Sequence, residues 1–167
     1  TVRHLDRWPL ETGYPEIISD TVDLFGKTPL RDKVRMAIDA TAAGKPAFDL
    51  FKQEKRLHVA ALSHVVITAG DTEAQAGELC RVPKRVLVSI VQILLQSKRL
   101  QIAPKLDLAA ILTQELSTFK ATVRPGATND MADWREGSDD DLVFAVALGC
   151  WQAMKQYATQ GKVSGMV

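Results

Sequence analysis

Short apolar segments of strand-like composition alternate with longer segments of helical periodicity, and this alternation constrains the fold more than any other feature. Residues 34–38 form a compact apolar run that ends at Asp39, and residues 58–68 are rich in Val, Leu and Ile. Helical patterns precede and follow these runs. Because strands that alternate with helices form a sheet covered by helices, the pattern predicts the α/β class with a largely covered sheet.

The remaining elements are predicted from periodicity and turn residues. Residues 2–8 alternate like an exposed or edge strand, residues 70–77 are polar and predict a mobile loop, and a hairpin is predicted around Pro125 and Gly126. Helices are predicted over five segments: residues 15–26, 46–55, 82–96, 108–119 and 139–157.

Length and composition limit the classes of protein to consider. A chain of 167 residues with 46% apolar residues can bury one sizeable core, which predicts a single domain over residues 1–167. The apolar runs are too short or too interrupted for a membrane span, so no membrane partner is expected. The net charge of +1 does not predict nucleic-acid binding, and any DNA contact must come from a local basic cluster. Cys80 and Cys150 have no Cys or His neighbours at zinc-ligand spacing, so we predict two reduced, partly buried thiols.

Asp39 is a candidate metal ligand because it ends an apolar strand. Ligand sites in α/β sheets form at the carboxyl ends of strands. The alternative is that Asp39 caps the turn that follows it, which reads Ala-Thr-Ala-Ala-Gly. Both interpretations stay open at the level of sequence.

Asp139, Asp140 and Asp141 follow Ser138 at the start of the last predicted helix. A Ser followed by acids favours a helix N-terminus through capping and the helix dipole. Three consecutive carboxylates nevertheless repel one another unless a cation lies nearby, and Mg²⁺ prefers oxygen ligands. A pair of cations held by acids from separate segments, here Asp39 and this cluster, can promote phosphodiester hydrolysis.

Lys84 and Arg85 are candidate DNA-binding residues because they follow Pro83 at the start of a long predicted helix. Helix N-terminal amides themselves attract phosphate. Lys45 is a third candidate, and the alternative for all three is an ordinary solvated cation. No Gly-rich phosphate loop with its Lys and Ser or Thr is present, so no ATPase motor is expected within this chain.

Four segments, residues 3–10, 37–41, 82–85 and 134–143, together resemble the nuclease part of phage large-terminase proteins in order and approximate spacing. The last segment is the most specific, since an acidic pair opening a Leu-Val-Ala-rich helix resembles the closing metal ligand of RNase H-like nucleases. The resemblance implies an RNase H-like mixed sheet flanked by helices. It also implies Mg²⁺- or Mn²⁺-dependent endonucleolytic cutting of double-stranded DNA during genome packaging.

By this resemblance Asp39 corresponds to the family's second acid and Asp140, with Asp141, to its third, while Lys84 and Arg85 fall at a DNA-facing helix start. The implied partners are double-stranded DNA, an upstream terminase ATPase domain, the small terminase subunit and the portal. The implied location is the cytoplasm of a bacterial host, in a phage or prophage protein.

The sequence departs from the family pattern in three ways. No Asp-x-Gly strand with the first acid precedes Arg3, so the expectation is a nuclease domain that lacks its first strands in this chain and is inactive without them. Ala42 and Ala43 stand in a loop that often carries another Gly, and Ser138-Asp139 replaces a His. Two alternatives therefore stay open: a Holliday-junction resolvase-like nuclease, and a non-catalytic remnant that binds DNA or a partner.

Overall fold

The computed structural model describes residues 1–28, 30, 33–41, 44–118 and 140–164. The chain divides into two compact units, which are described separately. The sheet unit comprises Arg7–Thr68 and Thr72–Val82, and the helical unit comprises Thr1–Asp6, Ala69–Asp71 and Pro83–Val167. The expectation of one domain over residues 1–167 stays a prediction.

The sheet has four strands in the order β1-β2-β4-β3. Strands β1 (Arg35–Asp39) and β2 (Ala61–Thr68) are parallel, with Asp39 opposite Val65, whereas β3 (Ala74–Ala76) and β4 (Leu79–Pro83) are antiparallel. The predicted α/β class with a mixed sheet flanked by helices is therefore confirmed, and the sheet is open.

Two helices belong to the sheet unit, α1 (Tyr14–Gly26) and α2 (Gly44–Gln53). Helix α2 connects the parallel strands β1 and β2 and packs against both, with Phe48 and Phe51 buried. The Phe48 ring stacks on His64 of β2 at 4.6 Å between ring centroids. Because burying a Phe side chain contributes roughly 1.5–3 kcal/mol, these two residues fix α2 on the sheet.

The helical unit contains α3 (Lys84–Gln96), α4 (Ala109–Thr118) and α5 (Asp141–Ser164), and α5 packs against both other helices. Its core is a buried apolar cluster from α4 and the start of α5, namely Leu112, Leu142, Val143 and Val146. Within the part of the chain that the structure describes, no helix combines the length and the apolar character needed to cross a membrane.

Helix α3 ends in a Schellman motif whose left-handed position is taken by a lysine. Lys98 has a φ of 57°, its N–H donates to the Leu95 carbonyl oxygen at 2.9 Å, and the Arg99 N–H donates to the Leu94 carbonyl oxygen at 2.9 Å. Glycine is the usual residue here because it lacks the β-carbon that makes this backbone conformation unfavourable.

Two predictions of secondary structure were wrong. Residues 2–8 do not form a strand: Val2 makes one isolated parallel bridge with Ile102, and Val2 and Leu5 pack against the apolar cluster of α4 and α5. Residues 70–77 are not one irregular loop, because 74–76 form β3 and Gly77, with a φ of 61°, begins the two-residue turn to β4. The hairpin predicted around Pro125 and Gly126 lies outside the described residues.

Candidate functional site

Asp39 ends β1, and its carboxylate is held by the turn that follows. Oδ1 of Asp39 accepts hydrogen bonds from the Thr41 N–H, at 2.9 Å, and from the Thr41 hydroxyl. Oγ1 of Thr41 in turn accepts the N–H of Ile67 in β2 at 2.9 Å. The turn-capping contact that the sequence suggested is therefore present at Oδ1, and Thr41 joins the ends of the two parallel strands.

Gly44 brings the start of α2 against Asp39. A β-carbon at position 44 would stand 2.5 Å from the Asp39 carbonyl oxygen and 3.2 Å from the Asp39 carbonyl carbon. Helix α2 thus begins as close to the end of β1 as the backbone permits, two residues before the predicted start at residue 46. The Asp39 side chain is itself exposed.

Lys45, one of the three predicted DNA-binding residues, lies in the first turn of α2 rather than in a loop. Its Nζ is 2.6 Å from Oδ2 of Asp49, four residues further along the helix, and both side chains are substantially exposed. Surface pairs of this kind contribute only about 0–1 kcal/mol, so a phosphate could displace Asp49 at little cost.

In the helical unit, a carboxylate from another helix caps the start of α5. Oε2 of Glu115, in α4, accepts the backbone N–H groups of Leu142 at 3.1 Å and of Val143 at 3.2 Å. The Glu115 side chain is 4% exposed. The first-turn amides of a helix have no partner within the helix, and Glu115 satisfies two of them.

Asp140 immediately precedes this capped helix, and Asp141 is its first residue. The Phe144 N–H donates to the Asp140 carbonyl oxygen at 3.0 Å, so helical hydrogen bonding begins at Asp140. Asp140 is half-buried and Asp141 is exposed. Asp139 and Ser138, which complete the predicted acidic cluster, lie outside the described residues.

Lys84, at the start of α3, lies within electrostatic range of Asp140. Burial lowers the pKa of the Lys84 ammonium group, and the negative charge of Asp140 opposes this change by raising the same pKa. The Lys84 Nζ is also 5.2 Å from the centroid of the Phe144 ring, close enough for a cation–π contact. A half-buried cation and an acidic helix start are therefore brought together in the helical unit.

Arg85, the residue after Lys84, has a different neighbour. Its Nη1 is 2.8 Å from Oδ1 of Asp71, and its Nη2 donates to the Asp71 carbonyl oxygen at 2.7 Å. Arg85 thus holds the 69–71 segment as well as making an ion pair. The predicted Lys84–Arg85 pair is therefore split between two neighbours, Asp140 and Asp71.

The start of α5 carries two adjacent acidic residues. Asp140 and Asp141 supply carboxylate oxygens, and Mg²⁺ is commonly bound through one or two carboxylates while it retains several waters. Across the described ranges, no group of three His, Cys, Asp or Glu side chains that could hold a metal ion is present. Asp39 belongs to the sheet unit and Asp140 to the helical unit.

Two residues that contribute to these arrangements were not singled out from the sequence. Thr41 was predictable in part, because Asp-x-Thr after a strand is typical of a side-chain-capped turn. Glu115 had only an indirect signal: it is an acid three residues after Leu112 and one before Leu116, on the apolar side of α4. A buried acid requires a partner, but nothing local identifies Leu142 and Val143 as that partner.

Comparisons of this chain with models of protein families, with curated proteins and with solved structures gave no match.

Proposed function

We propose that this chain belongs to a metal-dependent endonuclease of the phage large-terminase type, which hydrolyses phosphodiester bonds of double-stranded DNA. The observation that carries the proposal is the position of the Lys84 ammonium group 5.2 Å from the Phe144 ring, at the start of α5, within electrostatic range of Asp140. A phosphodiester site needs carboxylates for a divalent cation and a fixed positive charge for the phosphate, and both are adjacent here.

Lys84 has the role of binding and orienting a phosphate. Its contact with Phe144 and its half-burial restrict the side chain to few conformations. Less conformational entropy is therefore lost when the ammonium group donates to a phosphate oxygen. The carboxylate of Asp140 favours the charged form of this ammonium group, because it opposes the effect of burial on the Lys84 pKa.

The carboxylates of Asp140 and Asp141, in the helical unit, are proposed as ligands of Mg²⁺ or Mn²⁺, and Asp39 is proposed as a ligand at the end of β1 in the sheet unit. A divalent cation at such carboxylates supplies Lewis-acid stabilisation of the negative charge that develops on the phosphodiester oxygens. In the chain itself, Thr41 and Ile67 restrain Asp39, and Glu115 restrains the helix that carries the other two acids.

Lys45 and Arg85 are secondary DNA contacts in this proposal. Each forms an exposed ion pair, Lys45 with Asp49 and Arg85 with Asp71, that must exchange for a phosphate. Such contacts position DNA without reading its sequence. Partners of the same proposal are an upstream terminase ATPase domain, the small terminase subunit and the portal, in the cytoplasm of a bacterial host.

The test is cleavage of supercoiled plasmid with Mn²⁺ or EDTA, by this chain and by a version extended upstream to include an Asp-x-Gly strand. Asp39→Ala, Asp140→Ala and Lys84→Ala are compared with Lys105→Ala, which removes an exposed lysine of the helical unit. We expect metal-dependent cutting by the extended protein, its loss in both Asp variants, and a raised KM for DNA in Lys84→Ala only.

Three results would count against this assignment. An extended protein that leaves all DNA intact is not a nuclease, and binding without cutting would favour the non-catalytic remnant. Cleavage that persists in Asp140→Ala would show that the start of α5 is not part of the active site. Preferential cutting of four-way junctions over linear duplex would instead support a Holliday-junction resolvase-like enzyme.

A further inference from the structure

Glu115 is a buried carboxylate whose hydrogen bonds go to the backbone of another helix. It lies in α4 and reaches the first turn of α5, 27 and 28 residues further along the chain. Around it is the apolar cluster that includes Leu112 and Val146. A carboxylate in such surroundings is costly unless its oxygens are hydrogen-bonded, so the contact with the α5 amides is a condition of its burial.

Helix starts are usually capped by the residue that immediately precedes the first turn. At α5 this residue is Asp140, and the amides of Leu142 and Val143 in addition donate to Glu115. A side chain that is anchored in α4 therefore takes part in capping this helix. As a consequence, the direction of the first turn of α5 is set by its packing on α4 as well as by local backbone preference.

We infer that Glu115 is the positioning residue for Asp140 and Asp141, an inference that rests on the proposed nuclease function. The two acids are directly followed by the two residues whose amides Glu115 binds. Loss of the cap frees the first turn to fray or tilt, which displaces both carboxylates. It also moves Asp140 relative to Lys84, whose charge it faces.

The experiment compares wild type with Glu115→Gln, Glu115→Ala and the exposed neighbour control Gln114→Ala. The glutamine carbonyl oxygen keeps an acceptor for both amides, whereas alanine removes it. Hydrogen exchange at the Leu142 and Val143 amides measures the cap. Broadening of the Asp140 and Asp141 amide signals by Mn²⁺ measures metal binding, and plasmid cleavage by the upstream-extended protein gives kcat and KM.

We expect Glu115→Ala to lower kcat by roughly tenfold to a hundredfold, because small displacements of reacting groups have effects of this size. The KM for DNA should stay within about threefold of wild type, since a positioning group acts in the transition state rather than in ground-state binding. Exchange at both amides accelerates and a higher Mn²⁺ concentration is needed for broadening. Glu115→Gln and Gln114→Ala resemble wild type in all readouts.

The inference is overturned if Glu115→Ala lowers only the melting temperature while kcat, the Mn²⁺ response and amide exchange of the folded protein are unchanged. A wild-type protein that does not cut DNA refutes the proposed function alone. In that case the Mn²⁺ broadening still tests the inference. Broadening that weakens in Glu115→Ala and recovers in Glu115→Gln supports a positioning role for Glu115. The same broadening in all variants, or no broadening in any of them, overturns that role.

Discussion

Gly44 approaches the backbone of Asp39 so closely that a β-carbon at position 44 would stand 2.5 Å from the Asp39 carbonyl oxygen. The atom in the way is main chain at the end of a hydrogen-bonded strand, so it cannot rotate aside as a flexible side chain would. The absence of a side chain at Gly44 is therefore what allows α2 to begin at the carboxyl end of β1.

Gly44→Ala should destabilise the protein by about 1–3 kcal/mol, because either α2 or the end of β1 must shift to relieve the overlap. Urea denaturation measures the change as a lower midpoint. Gly26→Ala is the matched control, since a β-carbon at Gly26, the last residue of α1, meets no atom within 4 Å. Equal midpoints for the two variants would contradict the close approach.

Thr41→Val should destabilise by about 1–3 kcal/mol, because it removes the hydroxyl that bonds Asp39 and leaves the buried N–H of Ile67 without its acceptor. Valine has nearly the same shape as threonine, so packing changes little. Thr41→Ser retains the hydroxyl and should lie closer to wild type. The measurement is the denaturant midpoint of wild type, Thr41→Val and Thr41→Ser. Equal midpoints for the Val and Ser variants would show that the hydrogen bonds of the Thr41 hydroxyl do not contribute to stability.

Lys98→Gly should stabilise the protein by about 0.5–1 kcal/mol, because glycine adopts the left-handed conformation at this helix end without the β-carbon clash. For a chain of this size the melting temperature rises by roughly 1–4 °C. Lys98→Ala controls for loss of the charge, since alanine keeps the β-carbon and should give no such rise. An unchanged melting temperature in the glycine variant would mean that the strain is relieved elsewhere.

Lys84 should make stability increase with pH on the alkaline side. Burial places its pKa in the folded protein below the ordinary value of 10.5, so between these two values the unfolded chain binds more protons. Stability therefore rises as the pH increases through this window. Lys84→Met removes the titrating group and should flatten this rise, measured by urea denaturation at about pH 7 and about pH 10.

Lys105→Met provides the comparison for Lys84→Met, because it removes an exposed ammonium group from the same unit. It serves as the reference for the loss of one lysine. If stability changes with pH in the same way in Lys84→Met as in Lys105→Met, the ammonium group of Lys84 is not desolvated by folding.

Much of the secondary structure was predictable because its signals are local. Helix α1 starts within one residue of the predicted position and ends at the predicted Gly26, and β1 ends at Asp39 as expected. Pro15 near a helix start and an apolar run before an acid act within a few residues. Strands β3 and β4 were both missed. Ala-Gln-Ala has weak strand propensity, and its pairing with β4 makes it a strand.

For the candidate site, sequence indicated which residue types matter, while packing decided their neighbours. Lys84 and Arg85 are adjacent in the chain and were predicted as one basic pair, yet Lys84 faces Asp140 and Arg85 binds Asp71. Consecutive residues on a helix point about 100° apart, so they contact different parts of the fold. Only the tertiary arrangement of α3, α5 and the 69–71 segment decides which residues Lys84 and Arg85 interact with.

The sequence by itself determined where the helices and the two parallel strands form and which acids end or begin them, because hydrophobic period and turn residues are properties of short segments. The tertiary structure decided that Glu115 caps α5, that Thr41 joins β1 to β2 and that Lys84 meets Asp140. The reason is physical: a polar side chain is satisfied by whichever group folding brings within hydrogen-bond range, and in Glu115 that group lies 27 residues away.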